Sequence, residues 1–204
     1  MMLHKDMSVQ EFDDNYYYLS ELQKFAAGLG IATARLRKLE LEAVIRSYLS
    51  KGKIVPPSLP ARVSASGQRD VLHPDTRIVN YVDDKRTKQL LLDEVSKIHP
   101  ELKMKSGQWY WLNDWRRMQL AGNKVLTYAQ LAGRLAELMT TQGRLPQIPS
   151  ARFNNFVTDY LADPQNTGVN KQVAVDAWFV IKKTPGPKTY AAYCQLPAAL
   201  RSKP

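Results

Sequence analysis

The sequence predicts a mostly α-helical protein, with an N-terminal helical hairpin and a larger helical C-terminal domain carrying minor β structure. Three observations support this prediction. Apolar residues recur at three- and four-residue intervals through most of the chain, which puts them on one face of a helix. Capping residues stand just ahead of those stripes. Proline and glycine fall between them, where a chain turns rather than extends a helix.

The elements follow in order. Ser8 and Glu11 have the spacing of a capping box, in which each side chain satisfies a free backbone N–H of the first turn, so a short helix leads the chain. Tyr18, Leu22, Phe25, Ala26 and Leu29 make the next stripe, stopped by Gly28-Leu29-Gly30. Residues 31–36 form a connection too short for a pair of strands. Leu41, Val44, Ile45, Tyr48 and Leu49 make the second long stripe, ending near Gly52. The first domain is therefore expected over residues 1–52. Pro56, Pro57 and Pro60, with Ser64, Ser66 and Gly67, mark a linker over 53–69, since proline fixes φ and removes a donor.

Residues 70–204 are expected to be the second domain. Asp83-Asp84 can cap a helix carrying Leu91, Val95 and Ile98, stopped by Pro100. The aromatic run from Gly107 to Trp115 suits a strand or packed turn on propensity. Thr127 can cap a helix with Leu131, Leu135, Leu138 and Met139; Ser150 can cap another with Phe153, Phe156, Val157, Tyr160 and Leu161, stopped at Asp163-Pro164. A last stripe, Val173, Ala177, Val180 and Ile181, ends at Pro185-Gly186-Pro187.

Charge narrows the function. Twenty-nine Lys and Arg stand against 19 Asp and Glu among 204 residues, a formal net charge of +10. Such a balance favours a polyanionic partner. The excess is uneven: residues 1–52 hold seven of each sign, 53–118 hold twelve bases and eight acids, and 119–204 hold ten and four. No apolar run reaches the roughly 20 residues of a membrane helix. The first residues lack the pattern of a signal peptide, so the expectation is a cytoplasmic protein without membrane partners.

Three basic groups are candidates for the contact. Arg35, Arg37 and Lys38 sit at the turn between the two long N-terminal helices, where free N–H groups and the positive helix end suit a phosphate. Lys103, Lys105, Arg116 and Arg117 are interleaved with Trp109, Tyr110, Trp111 and Trp115, a pattern that allows base stacking, although such rings are more often core. Lys171, Lys182, Lys183, Lys188, Arg201 and Lys203, with Lys124, Arg134, Arg144 and Arg152, make the rear of the chain basic.

Residues Ser20 to Phe25, Leu29-Gly30-Ile31, Arg37 to Glu42 and Ile45 to Leu49 together resemble a SAP domain over about 35 residues. Ala32 and Ala34 stand where proline and glycine are common in that family. Gly122 to Tyr128, Phe153-Asn154-Asn155-Phe156, Ala177-Trp178, Lys182-Lys183 and Tyr190 are similar to a bacterial domain of unassigned activity that often follows a SAP unit. The resemblance implies a helix–extension–helix module that binds duplex DNA through backbone and minor groove. It makes Arg35, Arg37, Lys38, Lys24 and Arg46 the phosphate-contact candidates, with Arg116, Arg117, Lys182 and Lys183 adding to the basic surface.

Signs of catalysis are thin. His4, His73 and His99 lie in no metal-ligand pattern, Cys194 is the single cysteine, and Asp13-Asp14 and Asp83-Asp84 read as helix caps. The expected protein is a non-enzymatic binder of nucleic acid, with no cofactor and no metal. The alternative is a protein–protein adaptor in which the hairpin is structural, a reading motivated by the zero net charge of residues 1–52.

Overall fold

A computed structural model describes residues 3–34, 36–57 and 68–201. The protein is mostly helical, as the sequence predicts. Contacts divide it into two compact units, Met1–Pro57 with Ile148–Pro204, and Ser58–Gln147.

In the first unit, helix α1 spans Val9–Asp13, α2 Leu19–Gly28 and α3 Lys38–Lys51. The capping box of α1 closes in both directions: Ser8 Oγ accepts from the Glu11 N–H, and Glu11 Oε2 accepts from the Ser8 N–H. Helix α3 ends at Gly52, whose φ of 63° is open to glycine at little cost. Leu22, Ala26, Leu41, Val44 and Ile45 are buried where α2 and α3 meet, with Ile31 from the extended connection and Phe12 from α1.

The same unit contains α7 (Arg152–Ala162), a 3-10 turn (Pro164–Asn166), α8 (Lys171–Lys183), α9 (Tyr190–Cys194) and α10 (Ala198–Arg201). Their core is aromatic: Phe156, Tyr160, Trp178 and Tyr193, with Ala174, Ala177 and Ile181. Two details depart from the sequence reading. Ser150 does not cap α7; Ala151 occupies that position without a side-chain cap. The buried face of α8 is Ala174, Ala177, Trp178 and Ile181, so the stripe is rotated and Val173 is exposed. Small alanines let the large Trp178 ring settle against Phe156 and Phe153, which outweighs burial of a valine.

The second unit is built from α4 (Lys85–Ile98), α5 (Gln108–Ala121) and α6 (Tyr128–Thr140). Asp84 caps α4 by accepting from the Thr87 N–H, and Thr127 caps α6 by accepting from the Gln130 N–H. Leu91, Val95, Leu112, Leu131, Leu135, Leu138 and Met139 form the core, while Ile98 stays exposed. The aromatic run expected as strand or turn is helix α5. Trp109, Trp111 and Trp115 pack along the flanks of the core rather than alternating in and out, and only Gln108 and Leu112 of this helix are fully buried. Tertiary packing overrides β propensity here. The β structure among the described residues is a single bridge between Arg77 and Thr127.

The division also differs from the sequence expectation of 1–52, linker and 70–204. Residues 148–204 belong with the N-terminal piece, because Arg152 pairs with Glu42, Lys188 bonds the Asp14 carbonyl, and Tyr16 packs edge-on against Trp178. Proline-rich composition marks where a chain is extended, not which pieces pack together. Residues 58–67 of the expected linker lie outside the described residues.

Candidate nucleic-acid interface

Three consecutive tyrosines, Tyr16 to Tyr18, precede α2. Extended backbone sends alternate side chains to opposite sides. Tyr17 turns inward, is 4% exposed and stacks on Phe12 at 5.4 Å. Burial pushes its hydroxyl up to about 12. Tyr16 and Tyr18 turn the other way and meet edge to face at 5.4 Å.

Cations from two distant stretches converge on that pair. Lys38 Nζ, from the first turn of α3, lies 4.0 Å from the centre of the Tyr16 ring. Lys182 Nζ, from the last turn of α8, donates to Tyr18 Oη at 3.0 Å and lies 4.2 Å above that ring. It is 5.9 Å from the Tyr16 ring. The turn between α2 and α3 and the rear of the chain thus share one aromatic surface. Each ring's negative face attracts an ammonium held over it.

Beneath them lies Glu42, 4% exposed. Its carboxylate stands 3.9 Å from Lys38 Nζ and accepts from Arg152 Nη2 at 3.0 Å. Two cations share one acid, and burial, together with Arg152, lowers the Lys38 pKa while Glu42 opposes the shift. Lys188 is buried too, with Nζ donating to the backbone carbonyls of Asp14 and Thr184. Burial lowers its pKa as well.

The nine candidates separate accordingly. Arg35 lies outside the described residues. Arg37 donates from Nε to Glu40 Oε1 at 3.1 Å while its backbone N–H donates to Glu40 Oε2 at 2.8 Å, so it closes the start of α3. Lys38 is inside, on Glu42 and Tyr16. Arg46 forks onto Asp13 at 2.7 and 2.9 Å. These three hold the hairpin together rather than pointing at a ligand. Lys24 and Lys183 are exposed and make no ion pair among the described residues. Lys182 is half-buried on the tyrosines. In the other unit, Arg116 donates to Asn113 Oδ1 at 2.6 and 3.1 Å and stacks 4.0 Å over Tyr81, and burial lowers its pKa. Arg117 is half-buried beside it in the chain. Lys105 and Arg134 are likewise engaged, by the carbonyls of Thr141 and Gly143 and by Glu137.

Sequence reasoning missed Tyr16, the exposure of Tyr18 and the role of Glu42. The tyrosine alternation was visible in principle, because three rings in an extended stretch cannot all face one core. No family model, no curated protein and no solved structure matches the chain. Among the described residues no cluster of three or more His, Cys, Asp or Glu could hold a metal ion, and no helix is long and apolar enough to cross a membrane.

Proposed function

We propose that the protein is a non-enzymatic nucleic-acid-binding protein of the cytoplasm that grips the sugar–phosphate backbone of duplex DNA, in line with its resemblance to a SAP domain. One observation carries the reading. In the unit formed by residues 1–57 and 148–204, most acids are committed to internal contacts while a set of exposed cations has no acid partner among the described residues. Glu11, Glu21 and Glu40 fold back onto the starts of their own helices, Asp13 and Glu42 hold Arg46, Lys38 and Arg152, and Asp163 takes the Tyr190 hydroxyl. Lys24, Lys51, Lys53, Lys171, Lys183 and Arg201 are exposed and make no ion pair among the described residues. Free ammonium and guanidinium groups reach a phosphate without first breaking a contact.

The phosphate grip is therefore assigned to these exposed cations rather than to Arg37 and Lys38, which Glu40 and Glu42 already hold. A labelled duplex titrated between roughly 50 and 200 mM salt tests it: log affinity falls linearly with log salt, by about 0.9 for each phosphate neutralised. Replacing Lys24, Lys51, Lys53 and Lys183 together by alanine reduces that slope and leaves thermal unfolding in place. Salt-independent affinity overturns the proposal. The adaptor reading draws on Ile98, Met104 and Met118, all strongly exposed in the other unit. Protein partners that survive nuclease treatment in a pull-down would favour it.

A further inference from the structure

We propose that Tyr18, Phe179, Lys182 and Lys183 form a stacking patch for the unpaired bases of a single-stranded nucleic acid. The inference rests on the backbone-binding reading above and extends it from duplex DNA to a second substrate, a strand whose base faces are free of neighbours.

Two large rings stand in solvent here: Tyr18 and Phe179 are each 47% exposed. Their placement follows from helix geometry. At about 100° per residue, the side of α8 next to its buried stripe, Ala174, Ala177, Trp178 and Ile181, carries Lys182, Phe179 and Lys183 in that order around the helix near its C-terminal end, with Val175 and Gln172 a turn or more earlier. Lys182, nearest the stripe, is the residue that reaches Tyr18. Ring, cation, ring and cation thus follow one another around the surface.

The chemistry of this order matches a strand rather than a duplex. Lys182 covers part of the Tyr18 ring, while Tyr18 and Phe179 each keep nearly half of their surface accessible. Every base has a π-face that stacks on such a ring, whatever its identity. A duplex keeps those faces stacked inside. The two ammonium groups supply charge complementary to the intervening phosphates, and neither meets a carboxylate among the described residues. Asp176, the nearest acid along α8, is turned to Gln172 Nε2 at 2.8 Å.

Fluorescence anisotropy with the full-length protein decides the matter, using a labelled thymidine oligonucleotide of about 15 nucleotides and a labelled duplex of equal length. Tyr18→Ala and Phe179→Ala each weaken binding of the oligonucleotide by about tenfold, the order expected for one lost stack, and change duplex affinity by less than about twofold. Tyr18→Phe, which keeps the ring and drops the bond to Lys182, retains most of the single-strand affinity. If the duplex binds with normal salt dependence while both alanine variants bind the oligonucleotide like wild type, this inference alone falls. If wild type binds neither, the nucleic-acid reading falls with it. An acidic peptide whose binding is equally sensitive to Tyr18→Ala, or self-association through this face that the same variant abolishes, also overturns the patch.

Discussion

The two units reach stability by opposite routes. Residues 58–147 form theirs from one continuous stretch, around an aliphatic core of leucines, with Arg69 forked onto Asp84 and Thr87 and Asp70 accepting from the Tyr128 hydroxyl. The other unit joins two pieces separated by ninety intervening residues, and its polar ties cross that gap: Glu42 to Arg152, Asp14 to Lys188, Tyr18 to Lys182. Its cations are consequently of two kinds. Arg152 on Glu42 and Lys188 on the Asp14 carbonyl are half-buried or buried and spoken for; the peripheral cations, and Lys182 on its tyrosine, have no carboxylate partner among the described residues. A basic count therefore overstates the binding surface wherever charge also does structural duty.

The contrast can be broken most severely by truncation. A chain ending at Gln147 removes the partners of Glu42, Asp14 and Tyr16, so residues 3–57 lose their ordered helices while 68–147 keep theirs. Amide hydrogen exchange, read segment by segment, checks this, and protection of α2 and α3 equal to that in the full chain would refute it. A smaller effect follows from Glu42→Gln, which leaves Lys38 and Arg152 side by side without a counter-charge. Loss of one member of a buried pair costs about 3 kcal/mol or more, read as an earlier urea midpoint for the first unit with the second unmoved.

The smallest effect concerns pH and sharpens the comparison from the other side. The Arg69 guanidinium, and next the Thr87 N–H, hold the Asp84 carboxyl well below the usual carboxylate range. A lowered folded-state value stabilises the protein fully above the ordinary aspartate pKa of about 3.9. That stabilisation is lost as pH falls through the folded-state value. Asp84→Asn keeps a capping side chain but not the charge. The variant's second unit is accordingly less stable than wild type near neutrality, and the gap closes in acid. A gap that stays constant down to about pH 2 would contradict the assignment.

Local structure was far more legible than assembly. Thr127 followed by Leu131, Leu135, Leu138 and Met139 announces α6 completely, since cap and stripe are both short-range signals and all four residues are buried. Helix α5 was obscured because Trp109, Tyr110, Trp111 and Trp115 occupy several sides of the helix and blur its period. The pairing of Glu42 with Arg152 spans 110 positions and has no pattern a local window can contain. For the site, the presence of cations was readable and their availability was not. Yet Glu40 three residues after Arg37, and Glu42 four after Lys38, are spacings at which helix neighbours meet. The occupation of that turn could have been anticipated from them.

The split origin of the first unit also orders events during translation. Residues 58–147 emerge from the ribosome before the segment 148–204 that completes the first unit, so the middle of the protein can fold while its beginning waits. At synthesis rates of about 5–20 residues per second, the wait for 148–204 lasts several seconds. During that interval Tyr16, Glu42 and the aromatic edge of the hairpin are exposed to chaperones and to neighbouring nascent chains.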